Sequence, residues 1–247
     1  MRSIVAVLLI AGLVALAGCS GGPLENDGET SGMDEGSYPD GYDVDGVTNA
    51  TLAFRTHETA IQGGAGVNTT TTLSTDGVDL TQQYRASYES GRTFASLTFS
   101  ERGLESFTTA DGTSYSRVYI GNRTEYSTTT VAGDRSVDLG LFLGLSADAS
   151  ATSTSMSTTD GTTIITYEFD SSDVALDADS RYYNTQTNGS IRGTLRVDKQ
   201  GRIHELSLSV DADDGSKLSA TVTNEFGEVT VDEPGWLDEA RQETGNA

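Results

Sequence analysis

Few residues in this chain can do chemistry, and their types limit what that chemistry is. There is one cysteine, Cys19, and there are two histidines, His57 and His204. Histidine is the usual general base near neutral pH. His57 falls on an apolar stripe at helical spacing, and His204 on the apolar register of an alternating segment. Both positions suit a hydrogen-bonded core or rim residue better than a base. Serines are abundant, but no G-x-S-x-G elbow occurs: Gly112-Thr113-Ser114-Tyr115-Ser116 departs at its last position. No glycine-rich phosphate loop precedes a helix. The run from Asp211 to Gly215, DADDG, lacks the alternate spacing and distal glutamate of a calcium loop and reads as a hairpin turn. One cysteine and two histidines do not make a structural zinc site. No catalytic residue, metal or cofactor is expected, and the chain does not read as an enzyme.

The cysteine has a different use. Arg2 precedes an apolar run from Ile4 to Ala17, too short for a spanning helix and suited to a signal-peptide core. Leu16-Ala17-Gly18-Cys19 then resembles the lipobox of bacterial and archaeal lipoproteins. That resemblance implies cleavage between Gly18 and Cys19 and a lipid on the sulfur. Ala17 and Gly18 are small enough for a peptidase cleft, and a thiol is readily alkylated. The expectation is an exported chain, held by its lipid at the outer face of the cell membrane.

Export opens a second chemistry. Asn49, Asn68, Asn122 and Asn188 each begin N-x-S/T and can accept a glycan. Chance matches are common in so Ser/Thr-rich a chain, and Asn49 doubles as a helix cap.

Binding, rather than catalysis, rests on apolar and aromatic side chains. Phe54, His57, Tyr84, Tyr88, Leu195, Leu206 and Leu208 fall on the inward registers of their segments. They are the candidates for lining a ligand cavity, which is typically apolar and concave. An ordinary filled core would use the same residues, so hollow and filled interiors both stand.

Charge bounds the partners. Acidic residues number 37 against 15 lysines and arginines, a net charge of −22, and only Lys199 and Lys217 are lysines. A polyanion repels phosphate backbones, so nucleic acid is excluded as a partner. The composition resembles the acidic, lysine-poor proteins of haloarchaea, whose surface carboxylates stay hydrated in concentrated salt.

The elements that must position these residues follow from periodicity. Residues 20–38 are glycine-rich and acidic with no apolar period, and read as a flexible tether. After Thr48 or Asn49 as N-cap, Ala50, Ala53, Phe54, His57, Ala60 and Ile61 form a helical stripe that stops at Gly63 and Gly64. Beyond it, apolar and polar residues alternate over Val78–Glu89, Ile191–Asp198, His204–Asp211 and Leu218–Thr223. Period-two alternation predicts an antiparallel sheet covered on one face. Asp76-Gly77, Asp111-Gly112, Asp160-Gly161, Gln200-Gly201 and Asp214-Gly215 mark hairpin turns. Val137–Leu145 reads as a short helix or loop, Ser171–Asp179 as a capped short helix, and Trp236 and Leu237 sit in an acidic terminal turn. The predicted fold is mainly β (α+β). A large curved antiparallel sheet, an unclosed half-barrel, carries the N-terminal helix and short helices on its concave face. Residues 1–18 are the signal peptide, 19–38 the lipidated cysteine and tether, and 39–247 a single domain.

The lipobox, the acidic tether, YPDGYDVDGVTN leading into the helix, and the closing EPGWLDEA resemble an uncharacterised family of haloarchaeal surface lipoproteins. The expected shape resembles the LolA and LppX/LprG type of lipoprotein carrier. That resemblance implies a half-barrel holding an acyl chain or another hydrophobic ligand under a helical lid. It brings no catalytic residues. One departure is the tether, which conflicts with long-range shuttling between membranes. The expected function is a membrane-anchored extracellular lipoprotein, a monomer, binding a lipid or another hydrophobic ligand in the half-barrel cavity. The alternative is a structural or interaction lipoprotein with a packed core that contacts another surface protein.

Overall fold

The computed structural model describes residues 38–75, 78–129, 146, 149–159, 161–176 and 187–245, which all lie in one compact unit, Glu35–Ala247. Among these residues are thirteen strands and two helices. A two-residue pair, β1 (Tyr42–Asp43) and β2 (Gly46–Val47), precedes helix α1 (Ala50–Gln62). Then come β3 (Gly66–Thr75), β4 (Val78–Ser87), β5 (Arg92–Phe99), β6 (Arg102–Thr108), β7 (Ser114–Ile120) and β8 (Arg123–Thr129). The second series is β9 (Ala151–Thr159), β10 (Thr162–Leu176), β11 (Thr187–Asp198), β12 (Ile203–Ala212) and β13 (Lys217–Phe226). Helix α2 (Leu237–Glu243) closes the chain.

Strands β3 to β13 make one unclosed eleven-stranded sheet in the order β8-β7-β6-β5-β4-β3-β13-β12-β11-β10-β9, with every pairing antiparallel. Two runs of hairpins therefore meet where β13 pairs with β3. The consecutive strands β8 and β9 form the two outer edges. The sequence-derived sheet and helix are both present. Asn49 is the N-cap, its Oδ1 accepting the Leu52 N–H at 2.9 Å, and Gly63 is the C-cap.

Register partners share a face, so the two faces can be followed across the sheet. On the front face, Phe169, Gly193, Leu208, Ala220, Leu73 and Leu80 oppose one another from β10 to β4. The β1–β2 pair and α1 pack here: Tyr42, Val47 and Ala53 join Tyr167, Leu195, Leu206, Leu208 and Val222 in the main core. Gly193 leaves the room this core needs, because a Cβ there would sit 2.0 Å from the Ser207 carbonyl oxygen.

On the same face, Tyr84, Ala95, Ser106 and Ser116 oppose one another in turn, and the last three side chains are small. The aromatic side chains level with that row lie on the other register: Arg85 of β4, then Phe94, Phe107 and Tyr115, oppose one another on the back face. There they meet the C-terminal segment, with Val231, Trp236, Leu237 and Ala240 forming a second core around Phe107 and Tyr115. Cover on one face alone thus describes the half that carries α1. In the β5–β8 half the C-terminal segment covers the back, and α2 lies on the face opposite α1. The cause is that Phe94, Phe107 and Tyr115 put aromatic side chains on the back register as well.

Two local expectations meet the structure differently. Ser171–Leu176 extends β10 instead of beginning a helix. Pairing of Val174 with Gly189 and of Leu176 with Thr187, after a register shift, supplies long-range hydrogen bonds that outweigh the local capping signal. Val137–Leu145 lies outside the described residues, as do Asp76, Gly77 and Asp160. The turns at Gly112, Gly161, Gly201 and Gly215 are present with positive φ. The DADDG run is the β12–β13 turn, where Asp214 Oδ1 accepts the Ser216 N–H at 2.9 Å.

Candidate functional site

Helix α1 carries His57 on its buried side, against the start of β12. Buried residues on a helix that packs on a sheet must satisfy their polar atoms locally. His57 Nδ1 does so by accepting the Ile203 backbone N–H at 3.1 Å. Burial strips the imidazole of water and lowers its pKa from 6.5 to about 4, while the charge of Asp198 pulls the other way. His57 is therefore a neutral acceptor that fastens α1 to the sheet.

The second histidine converges on the same place. His204 Nε2 lies 3.1 Å from Asp198 Oδ2, and Arg202 Nε donates to that oxygen at 2.7 Å. Asp198 Oδ1 accepts the backbone N–H groups of Gln200 and Arg202 at 2.9 and 3.0 Å. Burial opposes the Asp198 charge, but the hydrogen bonds from His204 and Arg202 outweigh it and hold its carboxyl below the usual range. The Phe226 ring sits edge-on to both histidines, 5.0 Å from His204 and 6.4 Å from His57, and under the Arg202 guanidinium at 5.3 Å. Asn224 Nδ2 donates to the Ile203 carbonyl at 2.8 Å and its Oδ1 accepts the Thr69 hydroxyl at 2.6 Å. The cluster ties α1, β3, β12 and β13 together at the β11–β12 turn. Each polar contact is used in holding the turn, and no serine or cysteine nucleophile makes a hydrogen bond with either imidazole among the described residues.

The sequence-derived cavity residues separate into two groups. Leu195, Leu206 and Leu208 are 0%, 1% and 2% exposed inside the main core, with Phe54 packed against it. Tyr84 and Tyr88 belong to a smaller cluster with Val67, Ala86, Ile61, Ala95 and Phe226, near the end of α1. Where Leu195, Leu206 and Leu208 stand, side chains fill the space. Cys19 and Gly18 lie outside the described residues.

Two features escaped sequence reasoning. On the front face, Leu97, Leu104 and Val118 oppose one another across β5, β6 and β7, with Ile120 one register step beyond Val118. Val118 is 40% and Ile120 54% exposed. The row was hidden because β5 to β7 carry apolar residues on both registers, which erases the alternation. On the back face, a cleft of about 330 Å³ opens between the sheet and the segment after β13. Asn68, Thr70, Gln83, Arg85, Glu225 and Glu228 line it, a polar lining unsuited to an acyl chain.

The glycan-acceptor candidates also separate. Asn49 caps α1, Asn68 Nδ2 donates to Glu225 Oε2 at 2.9 Å, Asn188 sits within β11, and Asn122 sits in the exposed β7–β8 turn. Among the described residues no helix is long and apolar enough to cross a membrane.

Comparison with curated proteins finds no match. Among solved structures the chain is similar to the crystal structure of the Mycobacterium tuberculosis lipoprotein LppX, at 14% identity and a TM-score of 0.36, covering 74% of this chain and 98% of that one. The family comparison is the more extensive, spanning residues 4–240 and so including Cys19, the cluster around Asp198 and Trp236: the chain belongs to a family of unknown function, DUF7537.

Proposed function

We propose that this chain is an exported lipoprotein, anchored to the outer face of the cell membrane through Cys19, whose sheet binds a lipid or another hydrophobic ligand. The observation that carries the reading is the front-face row Leu97, Leu104 and Val118 with its neighbour Ile120. It continues the registers of the main core, yet Val118 and Ile120 keep much of their surface in contact with water. Contiguous exposed apolar surface on a highly charged protein marks an interaction site. Covering about 200 Å² of it is worth about 5 kcal/mol, before the cost of ordering the ligand. Tyr84, opposite Ala95, stands one register step from this row, with Tyr88 farther along toward the end of α1, and Phe54, His57, Leu195, Leu206 and Leu208 would reach a ligand only after α1 moves. The acidic, lysine-poor composition supports a high-salt exterior as the setting.

The test is native mass spectrometry of the full chain purified with its membrane, together with uptake of a fluorescent fatty acid. A bound hydrophobic mass, and uptake lowered at least fivefold by Val118→Asp, support the reading. A clean apo mass with no uptake overturns it. A second reading, an interaction lipoprotein with a packed core, is favoured by the sealed Leu195, Leu206 and Leu208. Crosslinking on intact cells would then recover one dominant protein neighbour in place of a ligand.

A further inference from the structure

The chain offers four N-x-S/T sequons, and their surroundings decide which amide is free to react. Asn49 has its side-chain oxygen committed to the Leu52 N–H, and Thr51 is already inside α1. Asn68 lies within β3, bonded to Glu225 across the strand, and the next residue, Thr69, is buried. Asn188 lies within β11, paired with Ala175 on one side, and its carbonyl accepts the Asp213 N–H at 2.9 Å. A transferase must draw the asparagine and the hydroxyl two residues on into its own cleft. These three tripeptides would have to leave a helix or a sheet to be drawn in.

Asn122 itself lies in a turn, and the rest of its tripeptide, Arg123 and Thr124, begins the edge strand β8, paired only with Ile120 and Tyr119 of β7 among the described residues. Ile120 pairs with Arg123, so Gly121 and Asn122 form a two-residue loop. Gly121 has φ +57°, the positive value that the first central position of a II′ hairpin turn requires. Asn122, Arg123 and Thr124 are all exposed. Asn122 makes no side-chain hydrogen bond among the described residues. A Cβ added at Gly121 would meet nothing within 4 Å. Strand β8 is a sheet edge, so the whole sequon stands at a corner of the molecule.

We propose that Asn122 is the glycan acceptor of this chain, which rests on the exported reading above. The donor class is a sugar carried on a lipid phosphate. Asn122 Nδ2 forms a bond to the anomeric carbon, and the bond from that carbon to the phosphate oxygen breaks. The lipid phosphate leaves with the electron pair, and the amide gives up one proton to a base of the transferase. A glycan here would stand beside the exposed Ile120 and β8, the outermost strand among the described residues, where bulk discourages strand pairing between copies.

The experiment expresses the full chain in an exporting, N-glycosylating host and measures intact mass and glycopeptides in the membrane fraction. The expected result is one glycan, lost in Asn122→Gln and in Thr124→Val and kept in Asn49→Gln and Asn188→Gln. An exported, lipid-bearing chain without a glycan, or with its glycan on another asparagine, overturns the proposal. A chain retained inside the cell with its leader uncleaved overturns the exported reading instead. The purified full chain is therefore also incubated with transferase-bearing membranes and a lipid-phosphate sugar. Transfer confined to Asn122 supports the assignment, and no transfer to it overturns the assignment whatever the outcome of export.

Discussion

His57 and Ile203, far apart in the chain, are joined by a single hydrogen bond: the Ile203 backbone N–H donates to His57 Nδ1 at 3.1 Å. Protonating that nitrogen removes the acceptor and leaves a charge in a buried site.

The pH consequence has a definite sign. The folded-state pKa of His57, about 4, lies below the unfolded value of 6.5. The unfolded chain therefore binds the proton first as pH falls. Stability is full above pH 6.5, falls through the window from 6.5 to 4, and is level for this group below it. A shift of this size corresponds to about 3 kcal/mol. Urea unfolding at pH 7.5 and pH 4 should show that loss in the parent chain and about half or less of it in His57→Gln. Equal losses in both would remove His57 as the cause.

Asp198 acts lower on the scale. Its carboxyl is held below the ordinary range by His204 and Arg202 against the cost of burial. Its contribution is present above the unfolded carboxylate pKa and is lost as pH falls through the lower folded value. Asp198→Asn removes the charge that Arg202 Nε and His204 Nε2 face. The expected cost is about 2–4 kcal/mol in chemical denaturation at pH 7. A change under about 0.5 kcal/mol would show that the β11–β12 turn holds without it.

Ser100 is the one non-glycine residue with positive φ among the described residues, at 49°, in the two-residue loop joining β5 and β6. A side chain in that region is strained by roughly 1–2 kcal/mol, partly offset in glycine by a more flexible unfolded chain. Ser100→Gly should raise stability by about 0.5–1 kcal/mol, read as a higher denaturation midpoint at unchanged slope. A lowered midpoint would place a compensating contact at Ser100.

Trp236 joins the C-terminal segment to the back face. It stacks on Tyr126 at 6.3 Å and lies under the Arg117 guanidinium at 5.6 Å, yet its own Nε1 has no partner among the described residues. Trp236→Ala should cost about 3–5 kcal/mol. Trp236→Phe, which keeps the ring and removes the orphan N–H, should cost less than about 1.5 kcal/mol. Hydrogen exchange should show the alanine variant opening at β6 to β8 first, while β10 to β12 stay protected. Uniform opening would make the sheet one cooperative unit.

Local chemistry made much of the architecture readable. Asn49 before Ala50 and Gly63 after Gln62 bound α1, because capping involves neighbours a few residues apart. The alternation of Ile191, Leu195 and Val197 against Arg192, Thr194 and Arg196 set the buried face of β11, because the side-chain period of a strand is two. Where that period is broken, the sequence was silent. Phe94 and Leu97 lie on opposite faces of β5, and only the C-terminal segment, more than a hundred residues on, decides which of them is covered. Ser171–Leu176 carries a helix-start signal that partners in β11 override. The meeting of His57, Asp198 and His204 was equally out of reach. Order along the chain fixes which residues can form a turn or a helix. Which distant surfaces share one volume is settled only when the sheet packs against α1 on one face and the C-terminal segment on the other.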